Sequence, residues 1–168
     1  MQTMTFGDHT FTLIDFKEID GHNDSLPYKA SIKMDDTVIA KGMNDGWGGD
    51  TQITVLNKEL YDKAEKLLKK HKDEYGFTYN LSYLMDILAC READYLNVLK
   101  YVKQNQSKEL LFQDNKTQKI IFVKFKNNYS IAQLLKMSNG KTALLQTIKK
   151  YQEKGYKLLN TNLKDLSL

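Results

Sequence analysis

Residue types able to bind a partner concentrate in two stretches of the chain. The first is Gly42-Met43-Asn44-Asp45-Gly46-Trp47-Gly48-Gly49-Asp50, which holds four of the nine glycines and the only tryptophan. Glycine admits positive φ and lets other groups come close to the backbone. Asp45 and Asp50 add two carboxylates, and Trp47 adds a large amphipathic face. As a recognition loop, Asp45, Gly46, Trp47, Gly48, Gly49 and Asp50 would display the indole to a partner. As a wide structural turn, the segment would fold Trp47 back onto the neighbouring sheet. The second behaviour is the expectation, because tryptophan is highly buried on average. Asp45 and Asp50 do not follow the ligand spacing of a calcium loop, so no metal is expected there.

The second stretch is the C-terminal third. Lys119, Lys124, Lys126, Lys136, Lys141, Lys149, Lys150, Lys154 and Lys157 are interleaved with Tyr129, Tyr151 and Tyr156. Lysines neutralise phosphates and aromatic rings stack on bases. Lys124 and Lys126 are expected on one strand face. Lys150 and Lys154 are spaced i, i+4 on a helix, where like charges repel. An anionic partner, RNA or DNA included, would relieve that repulsion. The competing account is a solvated, lysine-rich surface.

Charge follows the same division. Residues 1–115 carry 14 basic and 19 acidic residues, a net of −5, and residues 116–168 carry 11 and 2, a net of +9. The formal +4 of the whole chain hides this polarity. Twenty-four of the 25 basic residues are lysine, and Arg91 is the one arginine. Base-specific readout through the bidentate arginine fork is therefore nearly excluded. In the acidic half, Asp35, Asp36, Asp45 and Asp50 offer the alternative of imitating nucleic-acid phosphates.

Catalytic chemistry finds few carriers. Cys90 is alone, so no internal disulfide forms, and a lone cysteine inside a helix reads as a small hydrophobe. His9, His22 and His71 have no spacing that pairs them with it. Ser138-Asn139-Gly140-Lys141-Thr142 contains the Gly-Lys-Thr of a phosphate-binding loop. The earlier glycine of that pattern is replaced by Leu135, and a helix rather than a strand precedes it. Phe122-Val123-Lys124-Phe125 is similar to the end of the aromatic strand of an RRM domain, and Ile53-Thr54-Val55-Leu56-Asn57 to its partner strand, but the motif's glycines are missing and Ile120 and Thr54 stand where stacking aromatics belong. No catalytic residue and no cofactor is expected. The N-terminus lacks the basic and apolar regions of a signal peptide, and no apolar run approaches the ~20 residues that span a bilayer. The expectation is a cytoplasmic protein with no membrane partner.

These residues need elements to position them. Residues 3–56 read as β. Phe11, Leu13, Ile14 and Phe16 lie in one run whose alternation slips once, as at a bulge, and residues 20–27 are rich in turn formers. Tyr28, Ala30, Ile32 and Met34 alternate with polar residues as a half-buried strand. Asp35-Asp36 turns into Thr37–Lys41, Gly42–Asp50 is a loop, and Thr51–Leu56 is a fourth strand. Asn57 caps a helix carrying Leu60, Ala64, Leu67, Leu68 and His71, which Tyr75-Gly76 ends. Asn80 caps a longer helix with a stripe of Leu81, Leu84, Leu88, Tyr95, Leu99 and Val102. Two strands, 109–113 and 119–126, flank a turn at Asp114–Lys116. Helices span about 130–137 and 142–154, separated by Asn139-Gly140 acting as a left-handed stop, and Tyr156–Asn160 is a last strand. This is an α+β fold: an N-terminal antiparallel sheet, central helices, and a C-terminal β-hairpin with two helices and a short strand. One domain over residues 1–168 is expected, with an acidic lobe 1–105, a basic lobe 106–168 and a seam at 104–108.

Asn44, Asp45, Gly46, Gly48 and Gly49, following a strand, resemble the Asn-Asp/Glu-Gly-x-Gly-Gly pattern of small accessory proteins of bacteriophages and mobile elements. The resemblance covers about a tenth of the chain and implies no catalytic residue. It implies an accessory protein of a phage or integrated element. Together with the small size, the lack of catalytic motifs and the charge polarity, it leads to the expectation of a non-enzymatic interaction protein in a bacterial cytoplasm that binds a host protein or ribonucleoprotein, inhibition of a host defence system being one use of such binding. The alternatives are a nucleic-acid-binding protein that uses the basic half and a small structural virion protein.

Overall fold

A computed structural model describes residues 1–115 and 119–163. The architecture is mixed α+β. The chain divides into two compact units, Met1–Tyr95 and Leu96–Leu168. The boundary falls inside a helix, N-terminal to the seam read at 104–108.

Unit 1 opens with an antiparallel sheet of β1 (Thr3–Phe6), β2 (His9–Glu18), β3 (Tyr28–Met34), β4 (Thr37–Asn44) and β5 (Gln52–Val55), joined in sequence order. Five strands form rather than the four read from the sequence, because the chain reverses between Phe6 and His9, which pair directly. The expected bulge lies between Ile14 and Lys17, where the register shifts and Asp15 takes φ 54°. Phe11, Leu13, Tyr28, Ala30, Ile32 and Met34 are buried together on one sheet face. Against them pack Ala64 and Leu68 of α1 (Lys58–Leu68) and Leu81, Leu84, Met85, Leu88 and Ala89 of α2 (Leu81–Asn105). Each large side chain so buried contributes about 1.5–3 kcal/mol of transfer free energy.

Asn57 caps α1 as expected, its Oδ1 accepting from the Leu60 amide at 3.1 Å. The helix ends at Leu68, however, well before Tyr75-Gly76. The intervening chain is held by side chains: Asp73 Oδ1 accepts from the Tyr75 and Phe77 amides at 3.0 and 2.8 Å. Asn80 starts α2 by accepting from the Tyr83 amide at 2.8 Å. Tyr95 and Leu99, read as part of the apolar stripe, are exposed. Spacing marks a face of a helix, but burial requires an element packed on it.

Unit 2 contains a three-stranded antiparallel sheet with β6 (Leu110–Asp114) between β7 (Ile120–Val123) and β8 (Tyr156–Leu158). Its core of Leu110, Phe112, Ile131, Leu134, Leu144, Ile148 and Leu163 is completed by α3 (Ile131–Lys136) and α4 (Gly140–Gln152). A reciprocal capping box of Ser130 and Gln133 starts α3. The strand expected over 119–126 ends at Val123, and Lys126–Asn128 form a 3-10 turn. The last strand ends at Leu158 rather than Asn160, because the Asn160 side chain turns to the backbone. It accepts from the Leu111 amide at 2.7 Å and donates to the Glu109 carbonyl at 2.8 Å. Gly140 is not a left-handed stop but the first residue of α4. The expected turn at Asp114–Lys116 lies partly outside the described residues.

Candidate functional site

The Trp47 loop is built on a buried polar network. β4 runs on through Gly42 and Met43 to Asn44, so the loop begins three residues later than the sequence implies. Asn44 is buried, and its side chain organises the turn beyond it. Its Oδ1 accepts from the Gly46 amide at 2.9 Å and from the Ser25 hydroxyl at 3.0 Å. Its Nδ2 donates to the Gly49 carbonyl at 3.2 Å and to Thr51 Oγ1 at 3.3 Å. Beneath it, Asp86 Oδ1 on α2 accepts from the Thr51 hydroxyl at 2.5 Å and from the Tyr28 hydroxyl at 3.0 Å. Burial holds the Asp86 carboxyl above its ordinary pKa, against the opposing pull of these hydrogen bonds. Burial likewise pushes the Tyr28 phenol up. Desolvated groups of this kind are stable only when hydrogen-bonded, so the network ties the loop to the core of unit 1.

A second loop, residues 20–27, docks on the first through its backbone. The His22 amide donates to the Asp45 carbonyl at 2.9 Å, and the Asp24 and Ser25 amides donate to the Gly46 carbonyl at 2.9 and 3.0 Å. Gly46 sits at φ +86°, and a Cβ there would overlap the His22 carbonyl oxygen. Only glycine meets both demands.

The product of this construction is Trp47. Asp45 Oδ1 accepts from the Trp47 amide at 3.2 Å, and the indole is 65% exposed. The expectation that Trp47 folds back onto the sheet is therefore wrong. Asn44 and Thr51 fill the buried positions at this end of the sheet, and the turn sends the indole outward. One face of the indole is covered by the His22 imidazole, with ring centroids 3.9 Å apart and planes within 12°. His22 Nδ1 lies 3.1 Å from Asp24 Oδ2. Asp45, Gly48, Gly49 and Asp50 of the same loop are exposed, whereas Gly46 is buried. Residues 20–27 and 44–50 together hold Asp20, Asp24, Asp45 and Asp50 and no lysine or arginine. An exposed indole among carboxylates suits a basic surface that offers a cation or an apolar pocket.

The described lysines of unit 2 are exposed. Lys119, Lys124, Lys126, Lys136, Lys141, Lys149, Lys150, Lys154 and Lys157 stand on the surface. Lys124 is paired with the buried Glu109 at 3.4 Å, and Lys149 meets Glu153 at 4.0 Å. Lys124 and Lys126 both lie beyond the end of β7, so they do not share a strand face as expected, and Lys154 lies beyond α4. The tyrosines turn inward. Tyr151 stacks on Phe112 with centroids 4.7 Å apart and meets Tyr156 edge-on at 5.7 Å, and Tyr129 packs on the same core. All three rings are partly buried against that core.

Sequence reasoning missed His22, Ser25, Tyr28, Thr51 and Asp86 as parts of the loop assembly. The turn-rich composition of 20–27 was the one local signal, and nothing local links Asp86 to Asn44. Cys90 is exposed rather than buried, yet its thiol is partly desolvated. That desolvation, with the charges of Asp86 and Asp94, pushes its pKa up and leaves it a poor nucleophile. Among the described residues no group of three or more His, Cys, Asp or Glu is placed to hold a metal ion. No helix among them is long and apolar enough to cross a membrane. Compared with protein-family models, curated proteins and solved structures, the chain matches none.

Proposed function

We propose that the chain is a binding protein without catalytic chemistry of its own, and that the Trp47 loop is its main contact with a partner protein. The observation that carries this reading is the 65% exposure of an indole held in place by a stacked imidazole and a buried network. Large aromatic anchors dominate binding free energies at protein interfaces, and a loop ordered beforehand loses little entropy on binding. The surrounding carboxylates select a basic partner surface. Proteins that bind nucleic acid carry such surfaces. This suits a protein component of a host ribonucleoprotein. The C-terminal tyrosines support base stacking less, because each ring is partly buried against the unit 2 core.

The test is recovery of a bacterial host protein on the immobilised full chain, followed by titration of the purified partner against wild type and Trp47→Ala. Truncation of a hot-spot anchor costs about 2 kcal/mol or more, so the variant is expected to bind at least about 30-fold more weakly. Its thermal midpoint should change little, because the ring is exposed. Undiminished binding by Trp47→Ala, or no saturable partner, would overturn the reading.

A further inference from the structure

The outer face of the unit 1 sheet carries a charge opposite to that of the unit. Residues 1–95 hold 11 basic and 17 acidic residues, a net of −6. On β3, Tyr28, Ala30, Ile32 and Met34 are buried in the core, which turns Lys29, Ser31 and Lys33 to the opposite face. Antiparallel partners share a face, and the register extends this one: Lys17 on β2 pairs with Lys29, and Lys41 on β4 pairs with Ser31. Lys17 and Lys29 are like charges directly opposite each other, Lys41 is diagonal to Lys29, about 7–8 Å away, and Lys33 lies on the same face beyond a register shift between Ile32 and Lys33. Four lysines from three adjacent strands thus form one patch. Ser31 at its centre is only 5% exposed although it faces outward, because longer side chains surround it.

None of the ion pairs among the described residues involves these four lysines. A groove of about 410 Å³ on this face is lined by Lys29, Ser31, Lys41, Gln52 and Thr54, with Asp15 at the bulge as its carboxylate. Uncompensated like charges across strands destabilise a sheet. A polyanion laid on the patch would reverse that term and release its own counterions. The exposed hydroxyl of Thr54 and amide of Gln52 supply hydrogen-bond donors of the kind that hold phosphate oxygens. No aromatic ring stands at these positions, since Phe6, Phe11 and Tyr28 are buried in the core and Phe16 packs against it. Nothing on the face would stack on unpaired bases.

We propose that this sheet face binds the phosphate backbone of a duplex nucleic acid, independently of sequence. The test is the binding of a short fluorescent duplex by the full chain across a salt series, compared with Lys17→Gln/Lys29→Gln/Lys33→Gln/Lys41→Gln. The comparison variant is Lys136→Gln/Lys141→Gln/Lys150→Gln/Lys154→Gln in unit 2. Each phosphate contact contributes about 0.9 to the log–log salt slope. The sheet variant should therefore lose about 3–4 from the slope and bind at least about tenfold more weakly at about 50 mM salt. The unit 2 variant should stay within about threefold of wild type, and circular dichroism should show both variants folded. A sheet variant that binds like wild type overturns the proposal, as does loss of binding in the unit 2 variant alone. Equal competition by a single strand of the same length, or by polyglutamate of matched charge, overturns the assignment to a duplex. Trp47→Ala should bind the duplex like wild type, so the two functional readings fail independently.

Discussion

The His22 imidazole lies flat on the Trp47 indole, although the residues belong to different loops and are separated by two strands. The stack gives an exposed side chain one defined direction. Its energy is modest, about 0.5–1.5 kcal/mol for an aromatic pair, but it holds one face of the ring and leaves the other to a partner. Trp47 is the only tryptophan, so its fluorescence reports on this loop alone.

Replacing His22 by Ala should free the ring without unfolding the unit. The expected result is a fall in Trp47 fluorescence anisotropy and a roughly 2- to 10-fold weaker partner affinity, the equivalent of the stacking term. The backbone bonds of the second loop do not use the imidazole, so urea unfolding should move by less than about 1 kcal/mol. Unchanged anisotropy would show that the indole is oriented by its own turn.

Asp86 sets a pH dependence whose sign follows from its burial. Desolvation raises its carboxyl above 3.8, against the opposing bonds from Thr51, Tyr28 and Asn44. The folded state therefore binds this proton more readily than the unfolded chain. Stability at this group is greatest below 3.8, declines as pH rises from there through the raised folded value, and then levels off. Asp86→Asn removes the titration. Urea midpoints over a pH series should show the variant gaining on wild type as pH rises through that window and a constant difference above it. Parallel curves would mean that the carboxyl is solvated in the folded protein.

At the α3–α4 junction, the backbone of Gly140 comes close to that of Leu134, and a Cβ on Gly140 would overlap the Leu134 carbonyl oxygen. Gly140→Ala should cost about 2–4 kcal/mol, as expected for forced displacement of packed backbone. Asn139 makes no side-chain capping bond to α4, so Asn139→Ala should stay within about 0.5 kcal/mol. Chemical denaturation of both variants checks the pair, and a larger loss at Asn139 would restore the role read from the Asn-Gly pair.

Much of the local structure was legible before the fold was known. Tyr28, Ala30, Ile32 and Met34 alternate, and they line one sheet face. Asn57, Asn80 and the slip after Ile14 sit where the cap and bulge rules place them. These signals act over two to four residues, so composition and spacing contain them. The Gly-rich segment was visible as a candidate site for the same reason, and its internal turn bonds are local.

Long-range packing decided the rest. Trp47 is exposed because Asn44, Thr51 and Asp86 fill the buried positions at its end of the sheet and His22 holds its inner face. Tyr151 turned inward because Phe112 offered it a ring in the core. The lysine patch of unit 1 exists only through strand register, which places Lys17, Lys29, Lys33 and Lys41 on one face of an acidic unit. Helix caps and strand alternation are set by neighbours along the chain, so the amino-acid order alone determined them. Which side chain meets which across the sheet depends on cross-strand pairing and packing between distant segments, and only the folded chain selects among those pairings.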